Sequence, residues 1–125
     1  MSEYQFSSLK LRSELVNNLE SLGFHSMTAI QAQSLPMILA GQDVIAQGQT
    51  GSGKTAAFGL GILNKLDEKN FNVQSLVLCP TRELAEQVSG EIRRLARGVA
   101  NVKVVTVYGG TPIKAQAASL SKGVH

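Results

Sequence analysis

The eight residues Gly48-Gln49-Thr50-Gly51-Ser52-Gly53-Lys54-Thr55 constrain this chain more than any other segment. They read as glycine, four residues, then Gly-Lys-Thr, the pattern of a phosphate-binding loop, or P-loop. A short apolar run of strand type, residues 43–46, precedes them, and a helix-forming stretch, residues 54–66, follows. Strand, glycine loop and helix is the order such a loop requires. Gly48, Gly51 and Gly53 permit backbone angles closed to other residues, so successive amides can turn inward as an anion nest. The helix start adds its unpaired N–H groups and positive dipole end. In that frame Lys54 reaches the β- and γ-phosphates of a nucleoside triphosphate, and the Thr55 hydroxyl ligates Mg²⁺. Thr50, Ser52 and Ala56 complete the predicted contacts of the loop.

At 125 residues the chain holds one domain at most. No apolar run approaches the length of a bilayer span, and Met1 to Tyr4 does not read as the start of a secretory signal. The expectation is a cytoplasmic protein. The single cysteine, Cys79, ends an apolar run and is predicted to be a buried structural thiol. A net charge of +3 and a pI near 9.2 are compatible with a polyanionic partner without establishing one. Arg93, Arg94 and Arg97 concentrate positive charge on one predicted helix; a solvated helical face explains them equally well.

The acidic residues are more restrictive. Asp43 and Asp67 are the two aspartates. P-loop hydrolases need a second apolar strand that delivers an aspartate to support Mg²⁺. Here residues 75–79 run into Pro80, and residues 102–108 run into Gly109-Gly110. The chain therefore carries a phosphate cradle without the remainder of a hydrolytic centre.

Helices are predicted from Arg12 to Leu22, with Leu15, Leu19 and Leu22 on one face and Gly23 ending it. A second begins at Thr28 as N-cap and is expected to be interrupted or kinked at Pro36. A third follows the P-loop. A fourth, from about Arg82 to Arg97, segregates Leu84, Val88, Ile92 and Leu95 from its charges. A last one starts with Pro112 at its first position. Strands alternating with helices at this spacing predict an α/β fold, a parallel sheet flanked by helices.

Three further segments carry a resemblance. Gly23-Phe24-His25-Ser26-Met27-Thr28-Ala29-Ile30-Gln31 resembles the Q motif of the DEAD-box helicases, with an isolated upstream aromatic at Phe6. Pro80-Thr81-Arg82-Glu83-Leu84-Ala85 resembles that family's motif Ia, and Tyr108-Gly109-Gly110 its double-glycine motif. With the P-loop, the four signatures stand in family order across nearly the whole chain. The wording is most similar to a bacterial, rRNA-directed subgroup. Met27 and Ala29 stand where the family usually has proline, and Gly48 where many members have alanine; neither change removes a ligand-contacting group.

The resemblance implies an ATP-dependent RNA helicase with ATP and Mg²⁺ as cofactors and RNA as partner, and the subgroup resemblance implies ribosomal RNA. Gln31 would pair with adenine N6 and N7 through its amide, and Phe24 would stack on the ring. Pro80, Thr81 and Arg82, with Gly109 and Gly110, would hold RNA by its backbone phosphates. Each has a plainer structural role available: a core staple for Phe24, a solvated helix residue for Gln31, a helix start for Thr81, a turn for the two glycines. The resemblance further implies a partial RecA-like domain: residues 1–40 as a Q-motif helical region, and residues 41–125 as the first half of helicase domain 1, cut before the Asp-Glu-Ala-Asp motif. Such a piece is expected to bind ATP weakly, to hydrolyse it negligibly, and to self-associate through an exposed sheet edge. A P-loop phosphotransferase and a non-catalytic phosphate-binding module are the competing readings.

Overall fold

The computed structural model describes residues 4–125, and its regular elements are helical. Helix α1 spans Ser13–Ser21, and its Leu15 and Leu19 are fully buried. Helix α2, Ala29–Leu39, starts on a reciprocal cap: the Thr28 hydroxyl accepts from the Gln31 N–H, and Gln31 Oε1 accepts from the Thr28 N–H at 2.9 Å. It runs through Pro36 instead of stopping there. Pro36 lies on the exposed side, while Ser34 and Leu35 are buried. Their packing outweighs the one ladder bond that proline forfeits.

Helix α3, Lys54–Lys65, and helix α4, Arg82–Leu95, complete the packed body; a 3-10 turn, Ala96–Gly98, extends α4 to the predicted end. Phe6, Leu15, Leu19, Leu35, Leu60, Leu63 and Leu95 form one cluster. Residues 6–35 and 56–99 thus contribute to one core. On α4, Val88, Ile92 and Leu95 are buried as predicted, but Leu84 is 38% exposed at the first turn. Arg12 locks the N-terminal segment to the end of α3: its guanidinium makes two bonds to the Glu68 carboxylate, at 3.0 and 3.1 Å, and one to the Leu66 carbonyl. Helix α5, Ile113–Ser121, buries none of its residues, and Pro112 is its N-cap, not its first helical residue.

The predicted parallel sheet is not formed among the described residues. Residues 43–46, 75–79 and 102–108 carry no strand ladder. The reason is spatial. Asp43, Val44 and Ala46 line a cleft of ≈ 1320 Å³ with residues 75–79, and residues 75–79 and 102–108 line a second cleft of ≈ 670 Å³. A run of apolar residues becomes a strand only when a neighbour stands about 4.8 Å away. Consequently Ile45, Leu76 and Leu78 are exposed, and Cys79 is half-buried rather than buried.

Val124 and His125 contribute to the wall of the second cleft. The Gln74 and Ser75 N–H groups donate to the His125 carbonyl, and the His125 N–H donates to the Lys103 carbonyl at 3.1 Å. The imidazole accepts from the Lys103 N–H through Nδ1 and donates from Nε2 to the Glu68 carbonyl, both at 2.9 Å. Phe71 lies against its ring, with centroids 4.6 Å apart. No helix among the described residues is long and apolar enough to cross a membrane.

Candidate nucleotide and nucleic-acid site

The P-loop turns into α3 through Gly53, whose φ of +95° is open to glycine and strained for other residues. A Cβ there would overlap Gln31 Nε2 and stand 2.9 Å from Thr28 Oγ1. The Q-motif segment therefore braces the loop from behind. Gln31 is 1% exposed and donates from Nε2 to the Gly53 carbonyl at 3.1 Å. The Lys54 ammonium bonds to the Gly48 carbonyl across the loop. Ala56 is buried, while Thr50, Gly51, Gly53, Lys54 and Thr55 line the larger cleft together with Phe24.

The residues present fit a polyphosphate. The loop sits at the N-terminus of a twelve-residue helix, where unpaired N–H groups and the dipole favour an anion. Ser52 Oγ is buried without a hydrogen-bond partner among the described residues. A buried hydroxyl left unpaired in a glycine loop is a group prepared for a ligand oxygen. Gly48 keeps that hydroxyl where it is, since a Cβ there would approach Ser52 Oγ to 2.7 Å and Ile30 Cδ1 to 2.9 Å.

Phe24 has a second engagement. Its ring meets the buried Phe6 edge-on, 6.5 Å between centroids and 79° between planes, at the rim of the core. The core-staple role is thus present, and the ring also borders the cleft.

Pro80, Thr81, Arg82, Gly109 and Gly110 are all exposed. The structure brings the last three together: Arg82 Nη2 donates to the Gly109 carbonyl at 2.7 Å, and Gly110 has φ +85° with no room for a Cβ beside the guanidinium. Thr81 caps α4 by accepting from the Leu84 N–H at 3.1 Å. Two participants were not singled out from the sequence, Tyr108 as a side chain and Glu86. The Tyr108 ring lies 5.1 Å from the Arg82 guanidinium carbon, and its hydroxyl donates to Glu86 at 2.7 Å. That bond holds the phenol above its ordinary pKa of 10.0. Glu86 stands four residues after Arg82 on α4, so helical spacing could have flagged it. The arginines of α4 also have partners: Arg93 donates to the Val104 carbonyl at 3.0 Å, and Arg94 pairs with Glu91 at 2.9 Å.

A glycine loop on a helix N-terminus, braced through a buried amide, defines a P-loop nucleotide-binding protein. Residues 28–125 match the DEAD/DEAH box helicase family, and the chain belongs to that family. It is 54% identical over 121 residues to the ATP-dependent RNA helicase DbpA of Escherichia coli (strain K12), covering 96% of this chain and 26% of that protein. It is 47% identical over 118 residues to the ATP-dependent RNA helicase CshA of Listeria monocytogenes, covering 94% and 22%. The chain thus spans about a quarter of the length of these relatives. Among solved structures it is similar to a DEAD box protein from the hyperthermophile Methanococcus jannaschii, with a TM-score of 0.88 and 37% identity over 94% of this chain and 32% of that one. The RNA helicase Prp28 from Chaetomium thermophilum, bound to ADP, gives a TM-score of 0.81 and 35% identity over 98% and 30%.

Proposed function

We propose that this chain is the nucleotide- and RNA-binding first part of an ATP-dependent RNA helicase. The observation that carries the reading is the contact of Gln31 with Gly53, which joins the base-reading segment to the phosphate loop. In this reading residues 1–40 are the Q-motif helical region and residues 41–125 the first half of a RecA-like domain, whose parallel sheet would be completed by further strands. Support comes from the helicase names and titles of the relatives and neighbours.

Lys54, Ser52 and the loop amides would hold the polyphosphate of ATP, and Thr55 would hold the accompanying Mg²⁺. The metal, when bound, neutralises charge between the phosphates. Gln31 has one acceptor site and one N–H left after its two protein bonds, which matches the adenine edge. Phe24 lines the larger cleft, where it would meet the ring. Arg82, Thr81 and the Gly109-Gly110 main chain would take RNA phosphates, contacts that bind without reading sequence. Ribosomal RNA is the substrate class that the subgroup resemblance favours. The apolar walls of both clefts, if unfilled, would favour self-association of this piece by strand pairing.

The test is a fluorescent-nucleotide titration of the full-length polypeptide. ATP should outcompete GTP, Lys54→Ala should abolish binding, and Gln31→Ala should remove the base preference. Equal binding of all bases by the unaltered protein would favour a generic phosphate-binding module.

A further inference from the structure

Arg82 is held before any ligand arrives. Its Nη2 is bonded to the Gly109 carbonyl, and its guanidinium lies against the Tyr108 ring. The ring is itself fixed. The Tyr108 hydroxyl donates to Glu86 Oε1 on α4, and the Tyr108 N–H donates to Gln116 Oε1 at 2.9 Å. Gln116 returns a bond to the Thr111 carbonyl, and the Thr111 hydroxyl donates to the Tyr108 carbonyl at 3.2 Å. Arg82 Nε and Nη1 have no hydrogen-bond partner among the described residues.

We propose that Tyr108 and Glu86 are positioning residues for the RNA-phosphate contact of Arg82. Rotamer freedom that a long cationic side chain would lose on binding is removed beforehand. An arginine clamped on one edge by a carbonyl and on one face by a ring presents its remaining N–H fork in a set plane, the geometry that suits a phosphate. Glu86 acts through Tyr108. Its carboxylate orients the phenol, and the phenol's ring sets the guanidinium. The proposal rests on the reading of Arg82 as an RNA contact.

The experiment is fluorescence anisotropy of a short 5′-fluorescein oligouridylate with the full-length polypeptide, over a series of KCl concentrations. Thermal unfolding by circular dichroism is followed in parallel. Arg82→Ala should weaken binding about tenfold and lower the slope of log K on log salt by about 0.7, the value for one single-strand phosphate contact. Tyr108→Ala should lower the slope by the same amount, and the double variant should bind no worse than Arg82→Ala. Tyr108→Phe and Glu86→Ala, which delete the hydroxyl–carboxylate bond and spare the core, should each give an intermediate loss. Glu86→Gln, which keeps an accepting oxygen, should restore binding.

Tyr108→Phe and Glu86→Ala binding like the unaltered protein would overturn the positioning role, while a weakened Arg82→Ala would leave the RNA reading standing. An unaffected Arg82→Ala would sink both. A double variant much weaker than Arg82→Ala would show that Tyr108 touches RNA itself, which also overturns the proposal.

Discussion

Gln31 and Gly53 are joined through a buried amide-to-carbonyl hydrogen bond of 3.1 Å. The same side chain caps α2 by accepting from the Thr28 N–H. One residue therefore serves helix nucleation and loop placement together. Gln31→Ala should destabilise the fold by about 0.5–2 kcal/mol, the range for losing a helix cap. Gln31→Glu keeps the capping oxygen and loses the donor to Gly53. It sets a buried carboxylate oxygen against the Gly53 carbonyl, so it should cost at least about 1–3 kcal/mol despite the retained cap, and bind nucleotide more weakly. Urea titration and nucleotide binding, measured on both variants, check this.

The two positions where family prolines are replaced behave differently. Met27 is buried, and its N–H donates to the Tyr4 carbonyl at 2.6 Å. Proline has no N–H, so Met27→Pro should cost about 1–3 kcal/mol through the unsatisfied carbonyl. Ala29 is the first residue of α2 after an extended Thr28, where proline fits. Ala29→Pro should be neutral or stabilise by about 0.4–1 kcal/mol. Melting temperatures of the two single variants decide this.

Tyr108 should ionise above pH 10.0, because its hydroxyl donates to Glu86. A phenol whose folded pKa is raised adds stability that is complete below its unfolded value and fades as pH climbs through the folded one. Ultraviolet titration of tyrosinate in a Tyr4→Phe background should show the delayed step. Glu86→Ala should bring it back toward the ordinary value.

Glu68 has the opposite sign. The Arg12 guanidinium holds its carboxyl below 4.5. Its contribution is present above that pH and is lost as the solution acidifies through the lowered folded value. Glu68→Gln should lower stability at neutral pH, where the contribution is present, and change it least in acid, so that the fall in stability below pH 4.5 becomes shallower. Denaturant midpoints recorded from neutral pH downward check it.

The helices and their starts were readable in advance because they are local. Thr28 and Thr81 cap where they should, and Leu15, Leu19, Val88, Ile92 and Leu95 face inward at the expected spacing. The sheet was not, since pairing is a property of two segments and residues 43–46, 75–79 and 102–108 find no ladder partner in one another. The helix through Pro36 survives on tertiary packing, which local propensity does not register. At the site, the P-loop announces itself by spacing, and Gln31 enters only through the resemblance of its segment to the Q motif. The Tyr108–Glu86–Arg82 arrangement does not, because it joins a loop to a helix more than twenty residues away.

Ser52 carries an unmet demand in its concealed hydroxyl. Leaving such a group unbonded costs roughly 1–3 kcal/mol. Any anion that supplies the missing acceptor cancels this penalty at the moment of capture. Under the proposed reading, part of the loop's grip on a phosphate would come from satisfying that hydroxyl, kept in place where Gly48 carries no bulk to displace the serine.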